Sequence, residues 1–198
     1  MRVWVVDNGS QWTHREWRVL RYLGQETRIV PNDTPLPELK AADLDGLVLS
    51  GGAASPAADG RLGAVGDYLD GLDVPILGIC AGHQYMAHHF GGRLVPGDSP
   101  EFGRTEIAIT DPGELLEGIA SPTVVWENHN DHVERAPPGF KVLATSPSCP
   151  VQVMRHTARP LFGTQFHPEV EHTVHGVDIF RNFVRICAES KVRTPASP

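Results

Sequence analysis

The chain has 198 residues, of which 40% are hydrophobic and 21% are charged, values that suit one globular domain with a sizeable core. A formal net charge of −7 argues against nucleic-acid binding by bulk electrostatics, and no apolar run approaches the ~20 residues that cross a membrane. The three cysteines lack a C-x-x-C spacing and no signal peptide is recognisable at the start, so we expect a reducing compartment, the cytoplasm.

The first half of the chain alternates between strand and helix patterns. Strands are predicted at residues 2–6, 27–30, 44–50 and 74–79, and helices at 13–23, 61–71 and 84–90. This alternation predicts an α/β fold with a mostly parallel central sheet and helices on both faces.

The second half has a different pattern, in which short predicted strands are separated by proline and glycine. These strands are predicted at residues 104–110, 123–127, 132–135, 140–145, 151–155 and 160–166, as an antiparallel extension of the same sheet. A last helix at about 176–189 carries apolar residues at helical spacing. We predict one domain over residues 1–192 and a frayed tail at 193–198.

Cys80 lies between two glycines, in Gly78-Ile79-Cys80-Ala81-Gly82, where a buried strand turns into a helix. The spacing matches a nucleophile elbow in which cysteine replaces serine, since glycines permit the strained backbone. A helix N-terminus aimed at the sulfur favours the thiolate. The alternative is a buried structural cysteine.

A candidate base lies far downstream, where a predicted strand runs into His167-Pro168-Glu169. A cysteine nucleophile needs an imidazole to exchange protons, and the imidazole needs a group that fixes its tautomer. His167 and Glu169 are two positions apart, so in an extended chain they would point to the same side. We therefore predict a catalytic Cys80, His167 and Glu169.

Backbone N–H groups are the third component of the predicted site. Gly51 and Gly52 follow a buried strand, and glycines leave their amides open to close approach. Together with the N–H of Ala81 they could form an oxyanion hole, although a glycine pair is also simply a turn.

These motifs together resemble class I glutamine amidotransferases, with GICAGHQ around Cys80, QFHPEVEHT around His167 and Ser50-Gly51-Gly52 in the family's order. The resemblance covers nearly the whole chain and implies a flavodoxin-like α/β fold. It also implies that Cys80 attacks the side-chain amide of glutamine, ammonia leaves, and water hydrolyses the thioester to glutamate.

Three further segments resemble the glutaminase of GMP synthetase: residues 5–15, residues 124–133, and the segment from Glu169 to Gly176. By position, the resemblance assigns Gln84, Asn128 and His129 to glutamine binding. It implies the archaeal arrangement, in which a separate ATP-pyrophosphatase subunit binds ATP and Mg²⁺ and converts XMP to GMP. This chain itself would need no cofactor. Ala53, Ala81 and Asn130 depart from residues that are common in that family.

Alternatives remain open at this stage. The chain could be the glutaminase subunit of another biosynthetic amidotransferase, for anthranilate, carbamoyl phosphate, CTP or imidazole glycerol phosphate. It could be a stand-alone cysteine hydrolase, or a non-catalytic protein on the same fold. The histidines and acids at 167–175 lack the spacing of a zinc site on a helix, so no metal is predicted there.

Overall fold

The computed structural model describes residues 1–53 and 61–193 of the chain, and within these ranges a nine-stranded sheet forms its centre. The strands are β1 (Val3–Asp7), β2 (Ile29–Pro31), β3 (Gly46–Leu49), β4 (Ile76–Ile79), β5 (Arg93–Ile109), β6 (Thr123–Arg135), β7 (Phe140–Thr145), β8 (Val153–His156) and β9 (Leu161–Thr164). The helices are α1 (Thr13–Tyr22), α2 (Leu36–Ala41), α3 (Val65–Gly71), α4 (Ala81–His89) and α5 (Gly176–Arg193).

The sheet is parallel on one side and antiparallel on the other, in the order β2-β1-β3-β4-β9-β8-β7-β5-β6. Every pairing from β2 to β9 is parallel, and every pairing from β9 to β6 is antiparallel. The predicted α/β fold with an antiparallel extension is therefore confirmed. Because parallel strands end at one edge, the segments that follow β3, β4 and β9 converge there.

Each face of the sheet has its own hydrophobic core, set by the alternation of side chains along the strands. Val3 and Val5 of β1 belong to the core that includes Phe180 of α5. Trp4 and Val6 belong to the core on the opposite face, which includes Tyr68 of α3. Burying one such large side chain stabilises the fold by about 1.5–3 kcal/mol. Helices therefore cover both faces, as the sequence predicted.

β6 is one unbroken strand, where the sequence predicted two strands, at residues 123–127 and 132–135, with a break between them. β5 pairs with β6 from Arg93 to Ile107, with a register shift between Pro96 and Glu101. This long partner satisfies the backbone of the polar residues 128–131, so the predicted break between two strands is wrong. Asn128 to Asp131 are strand residues that a two-stranded ribbon, β5 and β6, carries toward the ends of the parallel strands.

Several boundaries also differ from the prediction. α2 was not predicted, because six residues with prolines at 35 and 37 give no readable period; proline is tolerated in a first helical turn. α4 begins directly after Cys80 rather than at 84, and α5 continues to Arg193. The rest of the predicted tail, 194–198, lies outside the described residues. Across the described ranges, none of the helices combines the length and apolarity needed to span a membrane.

Candidate active site

Cys80 occupies a sharp turn between β4 and α4. Its backbone has φ 48° and ψ −105°, a sparsely populated conformation that costs about 1–3 kcal/mol in a residue with a side chain. The N–H of Cys80 donates to the carbonyl of Thr164 at 2.8 Å, and its carbonyl accepts from the N–H of Gln84 at 2.9 Å. These two bonds hold the strained residue between the end of β9 and the first turn of α4.

Gly82 allows the elbow helix to lie directly against β3. A Cβ at this position would lie 2.5 Å from the carbonyl oxygen of Leu49 and 2.9 Å from its Cβ, distances that side chains do not tolerate. The absence of a side chain therefore brings α4, and Cys80 with it, next to the residues that follow β3.

His167 and Glu169 lie beyond β9 and form a close pair. The Nδ1–H of His167 donates to Oε1 of Glu169 at 2.6 Å, and both side chains are buried. The predicted extended geometry is wrong: β9 ends at Thr164, and residues 168–169 form a turn. The segment leaves the sheet because the N–H of His167 bonds to the carbonyl of Trp126 at 3.0 Å and not to a strand of the parallel half.

Two further contacts hold the His167 ring and its backbone in place. The rings of Trp12 and His167 pack edge-to-face, with centroids 4.4 Å apart. The hydroxyl of Thr173 donates to the His167 carbonyl at 2.7 Å. Burial alone would lower the pKa of His167, but the charges and hydrogen bonds of Glu169 and Cys80 outweigh it and raise the pKa well above its ordinary value. The imidazolium form of His167 is therefore favoured.

The structure brings Cys80, His167 and the glycine pair together. Cys80, His167 and Gly52 line a cavity of about 140 Å³. A side-chain carbon on Gly51 would lie 3.1 Å from Cε1 of His167 and 3.6 Å from Cβ of Cys80. Ala81 is the first residue of α4, whose N–H has no partner within the helix. The three residues predicted to supply an oxyanion hole thus lie next to Cys80, and their role stays a prediction.

The residues predicted to hold glutamine lie in a second cavity that opens from the same sulfur. Cys80, Gln84, Asn128 and His129 all line it. The Asn128 carbonyl lies 4.0 Å from Sγ, and Nε2 of Gln84 donates to the carbonyl of Asp131 at 2.6 Å, which ties α4 to β6. Cys80 and Asn128 line both cavities, so the two cavities meet at the nucleophile.

His129, which the resemblance assigned to glutamine binding, is buried between two acids. Its Nε2 lies 3.0 Å from Oε2 of Glu101 and 3.1 Å from Oε2 of Glu127. Burial opposes a charged ring, but hydrogen bonds to Glu101 and Glu127 raise the pKa of His129 to about 10. His129 is therefore a cation throughout the physiological range.

These three side chains are close enough to one another to hold a metal ion, but hydrogen bonds already occupy Glu101. Glu101 also accepts hydrogen bonds from Ser146, Ser148 and Gln152, at 2.7, 2.5 and 2.9 Å. Four donors occupy this one carboxylate, so it has no free lone pair directed at an ion. The arrangement fits an ion pair built around His129.

A further buried acid, Glu16, lies on α1 behind the His167–Glu169 pair. Its side chain is fully buried, and neither oxygen has a hydrogen-bond partner in the described part of the chain. Burial, and then the charge of Glu169, raise the pKa of Glu16 well above its ordinary value. The neutral acid is thus favoured at this position.

The fold and this arrangement of cysteine, histidine and glutamate define the class of protein. The sequence profile "Glutamine amidotransferase class-I" matches residues 4–187, and the chain belongs to this family. It is 52% identical to a subunit of the glutamine-hydrolyzing GMP synthase of Thermoplasma acidophilum, over 95% of the chain and 94% of the relative. The corresponding GMP synthase subunit of Thermococcus kodakarensis is 49% identical, over 93% of the chain and 98% of the relative. A crystal structure of a provisionally named GMP synthase subunit from T. acidophilum superposes with a TM-score of 0.92 at 51% identity, covering 98% of this chain and 96% of that one.

Sequence reasoning missed Glu101, Glu127, Glu16 and Gln165, whose Nε2 lies 3.8 Å from Sγ of Cys80. One signal could have found Glu127. In an unbroken strand, Val125, Glu127 and His129 point to the same face, so a buried Val125 would place an acid and a histidine in the interior. Glu101 and Glu16 give no such local signal, because their neighbours come from distant parts of the chain.

Proposed function

We propose that the chain is the glutaminase subunit of a GMP synthase, which hydrolyses glutamine and supplies ammonia to a separate ATP-pyrophosphatase subunit. The observation that supports it most is the strained Cys80, which shares a cavity with His167 while Glu169 binds the far nitrogen of that ring. The names of the relatives support the GMP synthase part of the proposal.

The first half of the reaction forms a thioester. The Cys80 thiolate attacks the side-chain amide carbon of glutamine, and the carbonyl oxygen takes the negative charge toward the N–H groups of Gly52 and Ala81. His167, as imidazolium, donates its proton to the amide nitrogen. The C–N bond breaks, ammonia leaves, and a γ-glutamyl thioester remains on Cys80.

The second half reverses these roles. Neutral His167 takes a proton from water, whose oxygen attacks the thioester carbon. The C–S bond breaks, glutamate leaves, and the thiolate and imidazolium are restored. Glu169 holds the ring in one orientation through both halves and stabilises the imidazolium, as the third member of a triad does.

The partner carries the rest of the chemistry. We propose that ATP, Mg²⁺ and XMP bind the pyrophosphatase subunit, and that ammonia passes to it directly, because ammonia released into water is protonated and no longer nucleophilic. The sequence of this chain contains no S-G-G-x-D-S-type phosphate loop. Three buried free cysteines support a reducing compartment, and we propose the cytoplasm.

The test replaces Cys80 by alanine and compares two nitrogen sources. The chain is mixed with the pyrophosphatase subunit of the same organism, XMP, ATP and Mg²⁺, and GMP is measured with glutamine or with ammonium. Cys80→Ala should abolish synthesis from glutamine and leave synthesis from ammonium unchanged. Cys187→Ala, which removes a buried thiol near the start of β3, is the matched control and should keep both.

Two outcomes would contradict different parts of the proposal. Continued use of glutamine by Cys80→Ala would show that another residue is the nucleophile. If the wild-type chain hydrolyses glutamine but never supports GMP formation, it is either the glutaminase of another synthase or a stand-alone hydrolase. Capturing partners of a tagged chain from its own organism distinguishes these two cases, because only the first has a synthase partner.

A further inference from the structure

We propose that the side-chain amide of Gln165 donates a hydrogen bond to the sulfur of Cys80, and that Gln84 is the positioning residue that orients this amide. The proposal deepens the function proposed above and rests on it. It adds to the triad a donor that carries no charge and exchanges no proton. The resemblance assigned Gln84 to glutamine binding and gave Gln165 no role.

The first step of the argument is the place of Gln165 in the fold. Nε2 of Gln165 lies 3.8 Å from Sγ of Cys80, and the residue is fully buried. Its backbone N–H donates to the carbonyl of Gln152, just before β8, at 2.8 Å. The preceding residue, Thr164, accepts the N–H of Cys80 at 2.8 Å. Two neighbouring residues at the end of β9 thus contact the nucleophile, one through its backbone and one through its side chain.

The second step is that the sulfur completes the hydrogen bonding of a buried amide. A buried amide nitrogen without an acceptor is costly, and within the described residues the partner of Nε2 of Gln165 is Sγ of Cys80. A sulfur atom is larger than an oxygen atom, and sites without substrate often hold their catalytic hydrogen bonds long, so 3.8 Å is within reach of a bond. Hydrogen bonds to a charged acceptor are stronger than those to a neutral one, so this donor favours the thiolate over the thiol.

The third step is that a backbone group fixes the orientation of the Gln165 amide. Nε2 of Gln84 donates to the carbonyl of Asp131 on β6 at 2.6 Å. A backbone carbonyl accepts and never donates, so Gln84 must present its NH2 group here. The same nitrogen lies 3.3 Å from Oε1 of Gln165, which leaves the NH2 group of Gln165 facing the sulfur. The opposite orientation of Gln165 would bring two NH2 groups together.

The fourth step separates this role from substrate binding. Gln165 lines neither of the two cavities that meet at Cys80, so it acts on the sulfur without touching glutamine. Gln84 does line the second cavity, and its substitution therefore affects both substrate binding and the orientation of Gln165. A measurement without glutamine isolates the effect on the sulfur.

The test follows alkylation of Cys80 by iodoacetamide between pH 4 and 10, with the labelled peptide quantified by mass spectrometry. Gln165→Met keeps the length of the side chain and removes both amide groups. We expect the midpoint of the profile to move by about one unit toward higher pH, with about tenfold slower alkylation below it. Thr34→Val, which removes the hydrogen bond of a buried side chain to the Pro31 carbonyl, is the matched control at the far edge of the parallel strands and should reproduce the wild-type profile.

A displaced midpoint reports on the lost donor because the variants change no ionisable group. The titratable side chains on the elements around Cys80 are the same in every variant: Glu16, His83, Glu127, His129, Asp131 and His167.

A double variant tests the role of Gln84. Gln84→Met should slow alkylation by about threefold, because the Gln165 amide is no longer held toward the sulfur. Adding Gln84→Met to Gln165→Met should cause no further loss, since Gln84 acts through Gln165. Losses that multiply in the double variant would show that the two residues act independently, and would overturn this part of the proposal.

Steady-state kinetics supply a readout that a packing role would not give. Gln165→Met should lower kcat for glutamate release by about tenfold and leave KM within about twofold of wild type, because Gln165 contacts the nucleophile and not the substrate. A folded Gln165→Met with the wild-type alkylation profile overturns the proposal. If Gln165→Met does not fold, Gln84→Met decides instead, and a wild-type profile in that variant refutes the idea.

The alkylation assay needs neither a partner chain nor glutamine. Failure of the proposed glutaminase function would appear with the wild-type chain and Cys80→Ala, whereas failure of the Gln165 proposal appears as identical alkylation profiles of wild type and Gln165→Met. The two can therefore be told apart.

Discussion

Gly82→Ala is the substitution whose effect the structure defines most sharply. The new Cβ would lie 2.5 Å from the carbonyl oxygen of Leu49, where ordinary contact begins at 3.4 Å, so α4 and β3 must separate by about 0.9 Å. Both contacting groups are backbone or the base of a side chain, so neither can rotate away. Overpacking of this kind costs about 1–3 kcal/mol of stability.

The larger consequence is expected in catalysis. Cys80 directly precedes α4, and Gly51 and Gly52 follow β3, so the same displacement moves the sulfur away from the glycine amides. A shift of about 1 Å at reacting groups lowers the rate by about 10²-fold, or about 2.7 kcal/mol in the barrier. The assay is kcat/KM for glutamate release, measured below the unfolding temperature of the variant.

Gly91→Ala provides the matched control, at the other end of the same helix. Gly91 has φ +86° and nothing within 4 Å of an added Cβ, so alanine there costs about 1–2 kcal/mol of backbone strain without moving α4. We expect a loss of stability similar to that of Gly82→Ala with wild-type kcat/KM. If folded Gly82→Ala keeps kcat/KM within about threefold of wild type, the sulfur is not held in place by this contact, and the reasoning fails.

Two further predictions concern the buried acids. The pKa of Glu16 is raised in the folded state above its ordinary value of 4.5. As the pH rises above 4.5, the unfolded chain therefore loses this proton first, and the free energy of unfolding falls by about 1.4 kcal/mol per pH unit until Glu16 also ionises in the folded state. Glu16→Gln should therefore raise Tm more at pH 8 than at pH 5, and equal increments at both pH values would show that Glu16 is not held neutral. Glu169→Gln keeps an oxygen near His167 and removes the charge that raises its pKa. We expect kcat/KM to fall about 10²–10⁴-fold and the alkaline limb of the pH profile to move to lower pH, and a profile with an unmoved limb would contradict the role of Glu169.

The position of the elbow and of the converging loops could be predicted from sequence because each depends on local signals. Gly78 and Gly82 mark a close approach, Pro75 opens a buried strand, and alternation of strand and helix determines that parallel strands end at one edge. Cys80, His167 and the glycine pair meet there for that reason. The His167–Glu169 pair was predicted from a wrong local geometry, since two residues so close in sequence can meet in a turn as well as in an extended chain.

By itself, then, the sequence determined the α/β order, the strained cysteine and the identity of its partners, because backbone sterics and side-chain periodicity act over a few residues. Only the tertiary structure decided that residues 128–131 are a strand, that Glu101 lies opposite His129, and that Glu16 is buried behind Glu169. Those outcomes depend on pairing and burial between residues 26 to 153 positions apart, where the free energy comes from desolvation and long-range contacts that no local pattern records.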